Sequence, residues 1–303
     1  MKIRKFQNKQ PRKRNKQSVF TIILLIFLIV YCITLFGLIY WGVITAFKDY
    51  DKDYYMNNTY GLPREWIESF TYIFTKFGIG VQKSDGSIGY ALLPEILLNS
   101  FLYSAGSAFF KTLIPCITAY ACSRFNFKLG KFIYTCVIVA MIIPIVGSLP
   151  SEIKVASALG LYNSIPGMWV MKANMLGMYF LVMYNAFKSM PNEYVEAAKI
   201  DGANNFQVFA RIGLPLIATT FGTVFLINFV EYWNDYQTPL IYLVDHPTMG
   251  LSLYTLYSGG SLIAKNPQFT ISFSIVLVVP TLILFLFTHK KLMSNITVGG
   301  LKG

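Results

Sequence analysis

Of 303 residues, 54% are hydrophobic and only 13% charged, and the formal net charge is +12. A soluble domain carries about 25% charged residues, so the composition excludes an ordinary soluble enzyme. It points to an all-α, polytopic membrane protein with about six transmembrane helices.

Residues 1–17, MKIRKFQNKQPRKRNKQ, hold eight Lys or Arg and no acid. Beside an apolar segment they read as a basic cytoplasmic tail rather than a nucleic-acid arm. Ser18–Phe47 then runs for 30 residues without an Asp, Glu, Lys or Arg. That is about twice a signal peptide's apolar core and lacks its small-residue cleavage site, so it reads as a retained span, 18–47. The outer segment 48–91 is long, and Lys83–Gly89 looks like an inserted turn or hairpin.

The next expected spans are 96–120, 132–151, 167–187, 212–230 and 266–288, completing a transmembrane unit over 18–303. Lys111 lies near the middle of 96–120, and Lys172 lies close enough to the end of 167–187 to snorkel. With the N-terminus inside, the cytoplasmic segments carry net +14 and the outer ones −3. Both termini are therefore expected in the cytoplasm of a multi-pass cell-membrane protein.

Cys32, Cys116, Cys122 and Cys136 have no metal-ligand spacing and read as small apolar residues. His246 and His289 fall on opposite sides of the membrane, and no G-x-x-x-x-G-K-[ST] loop occurs. Neither a metal nor ATP is expected on this chain.

The loop 188–211 is punctuated like a helix. Pro191 suits a first turn, Glu193 and Glu196 lie near the positive end, and Gly202 closes it. Pro191–Asp201 would span about 16 Å, too short and polar to cross a bilayer. Asn204 and Gln207 then have capping-box spacing, opening a helix expected to run through Arg211 into the fifth span. A short surface helix of this kind presents a rigid knob to a cytoplasmic partner, or is a passive surface helix.

Glu196-Ala197-Ala198, Gly202 and Ile212-Gly213-Leu214-Pro215 reproduce the EAA-x3-G-x9-I-x-L-P pattern, which resembles ATP-binding-cassette importer permeases. The wider chain is similar to their carbohydrate branch, to the second permease subunit of maltose-type systems. Asn99-Ser100, Ala121–Phe125, Tyr232–Leu240 and the ending Gly299–Gly303 carry that likeness. The resemblance implies a type I importer permease fold. It makes the helix 191–201 a coupling helix seated on a separate ATPase subunit, which holds ATP and Mg. Glu193, Glu196, Ala197, Ala198, Asp201, Gly202, Leu214 and Pro215 are then its coupling residues. It also implies a second permease subunit and an extracellular substrate-binding protein, and no nucleic acid. The loop 236–266 would meet that binding protein, although Tyr236, Tyr242, Tyr254 and Tyr257 suit an interfacial belt equally.

Asn99, Lys111, Trp233 and Asn234 are candidates for the substrate path, because amides and aromatic faces hold sugars. Trp233 also suits an interface anchor, and Lys111 a buried packing partner. An ion-coupled secondary transporter is the alternative. It calls for buried ionisable groups and an internal repeat; only Lys111 qualifies and no repeat is visible. A membrane-embedded enzyme would require a convergent catalytic set that the spans lack.

Overall fold

The computed structural model describes residues 19–48, 60–63, 68–75, 77–82, 86–125, 128–143, 147–258 and 267–298. The basic tail 1–17, the tip 83–85 of the expected hairpin and the ending 299–303 lie outside the described residues. In chain order, α1 (Val19–Ala46) and α2 (Glu68–Thr75) precede a two-stranded hairpin of β1 (Gly78–Gln82) and β2 (Ile88–Leu92). The strands pair antiparallel, Gly78 opposite Leu92. The chain expected to be all-α thus carries, among the described residues, one small sheet.

The long helix α3 (Leu93–Arg124) organises the rest. It packs against α6 (Ile165–Lys172), α7 (Met178–Lys188) and α11 (Ala218–Trp233). Its buried positions include Asn99, Ser100, Ser104, Ser107, Ala108 and Thr112, small or short polar residues that let neighbouring backbones approach closely. At Gly106 a Cβ would stand 2.1 Å from the Trp169 indole nitrogen, so glycine is required there. That indole donates to the Leu102 carbonyl at 2.9 Å, joining α6 to α3.

Two hydrophobic clusters lie along α3. At the hairpin end, Ile96, Tyr103, Met168, Phe229, Trp233, Phe269 and Phe273 pack together. At the Arg124 end, Cys116, Ala119, Tyr120, Phe180, Met183 and Phe187 do so. After the short α12 (Gln237–Tyr242) and α13 (Met249–Ser258), α14 (Pro267–Val298) closes the first cluster and packs along α1.

Only Val19–Ala46 and Gln268–Thr288 are, among the described residues, single helices long and apolar enough to cross a bilayer. A bent pair raises the count to three, short of the expected six. The reasons are local. The stretch 132–151 is α4 (Lys128–Ile142) followed by a separate α5 (Leu149–Ala158). Pro144 disfavours helix just before it, and Pro150 suits the first turn of the next. The stretch 167–187 is split between α6 and α7. Asn174 accepts the Leu176 amide through its side chain, and Gly177 adopts φ 150°.

Candidate functional site

Two regions carry the residues singled out by sequence, one at the Arg124 end of α3 and one beside its middle. In the first, α8 (Glu193–Ile200) is an eight-residue helix that starts two residues later than expected, leaving Pro191 outside. Its C-terminal end is closed by the Ala203 amide on the Ala198 carbonyl at 2.9 Å and the Gly202 amide on the Lys199 carbonyl at 3.1 Å. This paired closure demands a left-handed residue, and Gly202 has φ 82°. Asp201 is the cap residue just before it. Glu193, Glu196 and Ala197 are exposed, whereas Ala198 is buried. The two alanines therefore face different ways, about 100° apart on the helix. Exposed apolar groups flank Glu196: Tyr194 is 53% accessible, Ile200 86% and Phe206 74%.

The capping box forms reciprocally. The Gln207 amide donates to the Asn204 side chain at 2.8 Å, and the Asn204 amide donates back to the Gln207 side chain at 2.9 Å. It opens α9 (Asn205–Val208), which passes through a π-helical segment, Phe209–Gly213, into α10 (Leu214–Leu216). The helix runs on past Arg211 as expected but does not enter the fifth span unbroken, because the run bends by 75° before Ala218. Pro215 cannot donate to the Arg211 carbonyl, which breaks the helical ladder. Leu214 is half-buried beside this bend and Pro215 exposed.

Arg124, the last residue of α3, reaches this region, and sequence reasoning assigned it no role. Its Nη2 donates at 2.6 Å to the carbonyls of both Phe187 and Met190. Its Nη1 donates to the Asn192 side chain. One turn earlier, Tyr120 packs its ring 5.1 Å from Phe187 and 4.9 Å from Phe209.

The second region is a cavity of about 490 Å³ lined by Lys111, Lys172, Glu231, Tyr232, Asn234 and Asp235, among others. Lys111 pairs with Glu231 at 3.2 Å and lies 5.0 Å from the Tyr232 ring centre. Lys172 donates to Thr238 at 3.2 Å. Asp235 accepts from the Tyr103 hydroxyl at 2.8 Å and from the Thr238 amide at 3.1 Å. A neighbouring cavity of about 400 Å³ shares Asn234 and Tyr236 and is lined by Tyr254 and Tyr257. Tyr236 and Tyr254 stack there, centres 4.5 Å apart. Polar hydroxyl, amide and charged groups beside aromatic faces suit a hydroxyl-rich ligand.

Of the four sequence candidates for a path, the structure brings Lys111 and Asn234 into this cavity and leaves two outside it. Trp233 is buried and donates to the Leu277 carbonyl at 2.8 Å. Asn99 is buried and donates to the Pro247 carbonyl at 3.3 Å. Asn234 is the cap residue just past the end of α11 and stays on the cavity, whereas Trp233, the last residue of the helix, is held to α14. Lys172, Glu231 and Asp235 were visible only as charges at span edges; their convergence depends on α3, α6 and α11 meeting.

The arabinooligosaccharides transport system permease protein AraQ of Bacillus subtilis is 26% identical over 240 residues, 78% of this chain and 79% of that protein. The diacetylchitobiose uptake system permease protein NgcG of Streptomyces coelicolor is 23% identical, over 86% and 82% of the two chains. These names bear out the resemblance to the carbohydrate branch of importer permeases. A bacterial ABC transporter involved in the import of the acidic polysaccharide alginate shares the fold, with TM-score 0.74, 16% identity, and coverage of 93% of this chain and 99% of that one. The bacterial alginate ABC transporter in complex with alginate pentasaccharide-bound periplasmic protein superposes with TM-score 0.53 and 19% identity, over 89% and 92% of the two chains. Residues 111–292 match the family described as binding-protein-dependent transport system inner membrane component. That match covers more than half of the chain, which therefore belongs to this family and is a multi-pass transport permease of the cell membrane, not itself an enzyme.

Proposed function

We propose that this chain is one permease subunit of an ATP-driven carbohydrate importer, coupled to a separate ATPase through α8. The observation that carries the reading is α8 itself: a short helix, closed at Gly202, that exposes Glu196 and Ala197 between the apolar Tyr194 and Ile200. Exposed apolar groups around a charged register mark a docking face. In this reading Glu193 and Glu196 meet basic groups on the ATPase, Ala197 allows close approach, and Ala198 seats the helix on its own subunit. ATP and Mg²⁺ bind on the ATPase subunits.

The relatives' names support a saccharide as cargo, and the alginate transporter's complex with a periplasmic protein supports delivery by an extracellular binding protein. A second permease subunit completes the path. On this chain the path runs through the cavity at Lys111, Lys172, Tyr232 and Asn234 and the tyrosine-lined cavity beside it. The six-span reading places α8 and both termini in the cytoplasm, with crossings at α1, α3, α4 with α5, α6 with α7, the bent α9–α11 run and α14. Broken helices are tolerated at membrane depth where they line a cavity.

Replacing Glu196 with Lys tests the coupling. Labelled-sugar uptake should collapse while the permease stays in the membrane. Uptake should also cease on ATP depletion and persist with a proton uncoupler. Full uptake by the Glu196→Lys protein would remove the coupling reading, and sensitivity to the uncoupler alone would favour an ion-coupled transporter.

A further inference from the structure

We propose that Arg124 is the positioning residue through which movement of α8 reaches α3, and through α3 the charged cavity. The inference rests on the coupling role proposed for α8.

The geometry is that of a clasp. The last carbonyls of a helix have no partners within it. Arg124 donates from a single nitrogen to the Phe187 carbonyl in the last turn of α7 and to the Met190 carbonyl two residues past its end, and uses the other to hold the side chain of Asn192, the residue just before α8. One guanidinium thus fixes three points on the chain entering α8. The chain leaving α8 is held to the same end of α3 by the Tyr120 ring against Phe209. Gly213 allows this closeness: a Cβ there would lie 3.2 Å from the Tyr120 ring. The helix α8 is therefore gripped on both sides by residues one turn apart on α3.

A push on α8 must consequently tilt or shift α3 as a body. Lys111 lies 13 residues from Arg124 along this helix, about 20 Å at 1.5 Å per residue. The same rod carries Tyr103, which holds Asp235 at the cavity wall. A guanidinium suits the task because its planar fork aims several donors at once; an ammonium is a single point of charge.

The test uses the complete transporter, with its own partner subunits, in lipid nanodiscs, and reads ATP hydrolysis with and without its binding protein. In Arg124→Gln the assembled complex should hydrolyse ATP at its basal rate, but stimulation by the binding protein should fall about ten-fold, within the usual range of coupling energies. Arg124→Lys should restore part of the stimulation without the full three-point hold. Assembly and melting temperature are measured alongside. Loss of assembly with normal stimulation per assembled complex would assign Arg124 a merely structural role and overturn the proposal. So would full stimulation in Arg124→Gln. Glu196→Lys serves as the reference. If it too leaves stimulation intact, the coupling role of α8 fails; if it abolishes stimulation while Arg124→Gln does not, only the clasp fails.

Discussion

The end of α3 and its middle are built in different ways. Around Arg124 the structure is made of backbone closures: a left-handed glycine, a reciprocal capping box, a proline bend and one side chain bonded to main-chain carbonyls. Around Lys111 it is made of side chains that converge from α3, α6, α11 and the segment after it. The first region holds a shape, and the second holds a chemistry. A coupling element must pass on displacement without yielding, so it is fixed through the main chain. A cavity wall must offer groups to a ligand, so it is assembled from polar side chains, here paired with one another across elements.

Substitutions should separate the two designs. The largest stability effect is expected in neither region but in the cluster that supports the cavity. Trp233 is buried and bonded to Leu277 across to α14. Truncating it to Ala should cost about 3–5 kcal/mol, read as a lower melting temperature and reduced yield of the purified permease. Asn234→Ala, one residue away and on the cavity, should leave the melting temperature nearly unchanged and lower uptake. Equal melting losses in the two variants would show that the cavity wall is structural packing.

At the Arg124 end, Gly202 comes next. A Cβ there meets nothing within 4 Å, so space is not the difficulty. The left-handed backbone is, at about 1–2 kcal/mol for a residue with a side chain. Gly202→Val should fray α8 and reduce uptake severely, with little change in global melting, since α8 is exposed. Hydrogen exchange over 193–203 should speed up in this variant; unchanged exchange would mean that the turn tolerates the strain. Asn204→Ala removes one half of the capping box and should cost about 1 kcal/mol, with a smaller increase in exchange confined to 204–209.

This contrast also explains what the sequence could disclose. Gly202, Asn204 and Gln207 act on atoms only a few residues away, so their spacing alone predicts the closure and the cap. The apolar runs at 18–47 and 266–288 were equally legible, because a helix there needs only its own backbone bonds. The breaks at 173–177 and before Ala218 were not, since an uncharged stretch looks the same whether it is straight or bent. Trp233 shows the limit for the cavity. Its type suited a sugar site, but which of three adjacent residues faced inward depended on where α14 packed. Arg124 stood in plain view at the end of a span, yet its three acceptors lie more than sixty residues away in the chain.

The smallest expected stability effect belongs to the ion pair in the cavity. Lys111 is 25% exposed and Glu231 53%, so water already screens both charges. Such pairs contribute about 0–1 kcal/mol, and Lys111→Met should scarcely move the melting temperature. Its effect on transport should be much larger, because Lys111 also stands over Tyr232 and presents a charge to the cavity. If the pair is what matters, Glu231→Gln should lower uptake to the same extent, and the double variant should be no worse than either single one. If Lys111 acts on the ligand directly, the Lys111→Met loss should persist in the Glu231→Gln background, at nearly its full size. A double-mutant cycle on uptake distinguishes an ion pair that acts as a unit from a single charge that meets the cargo.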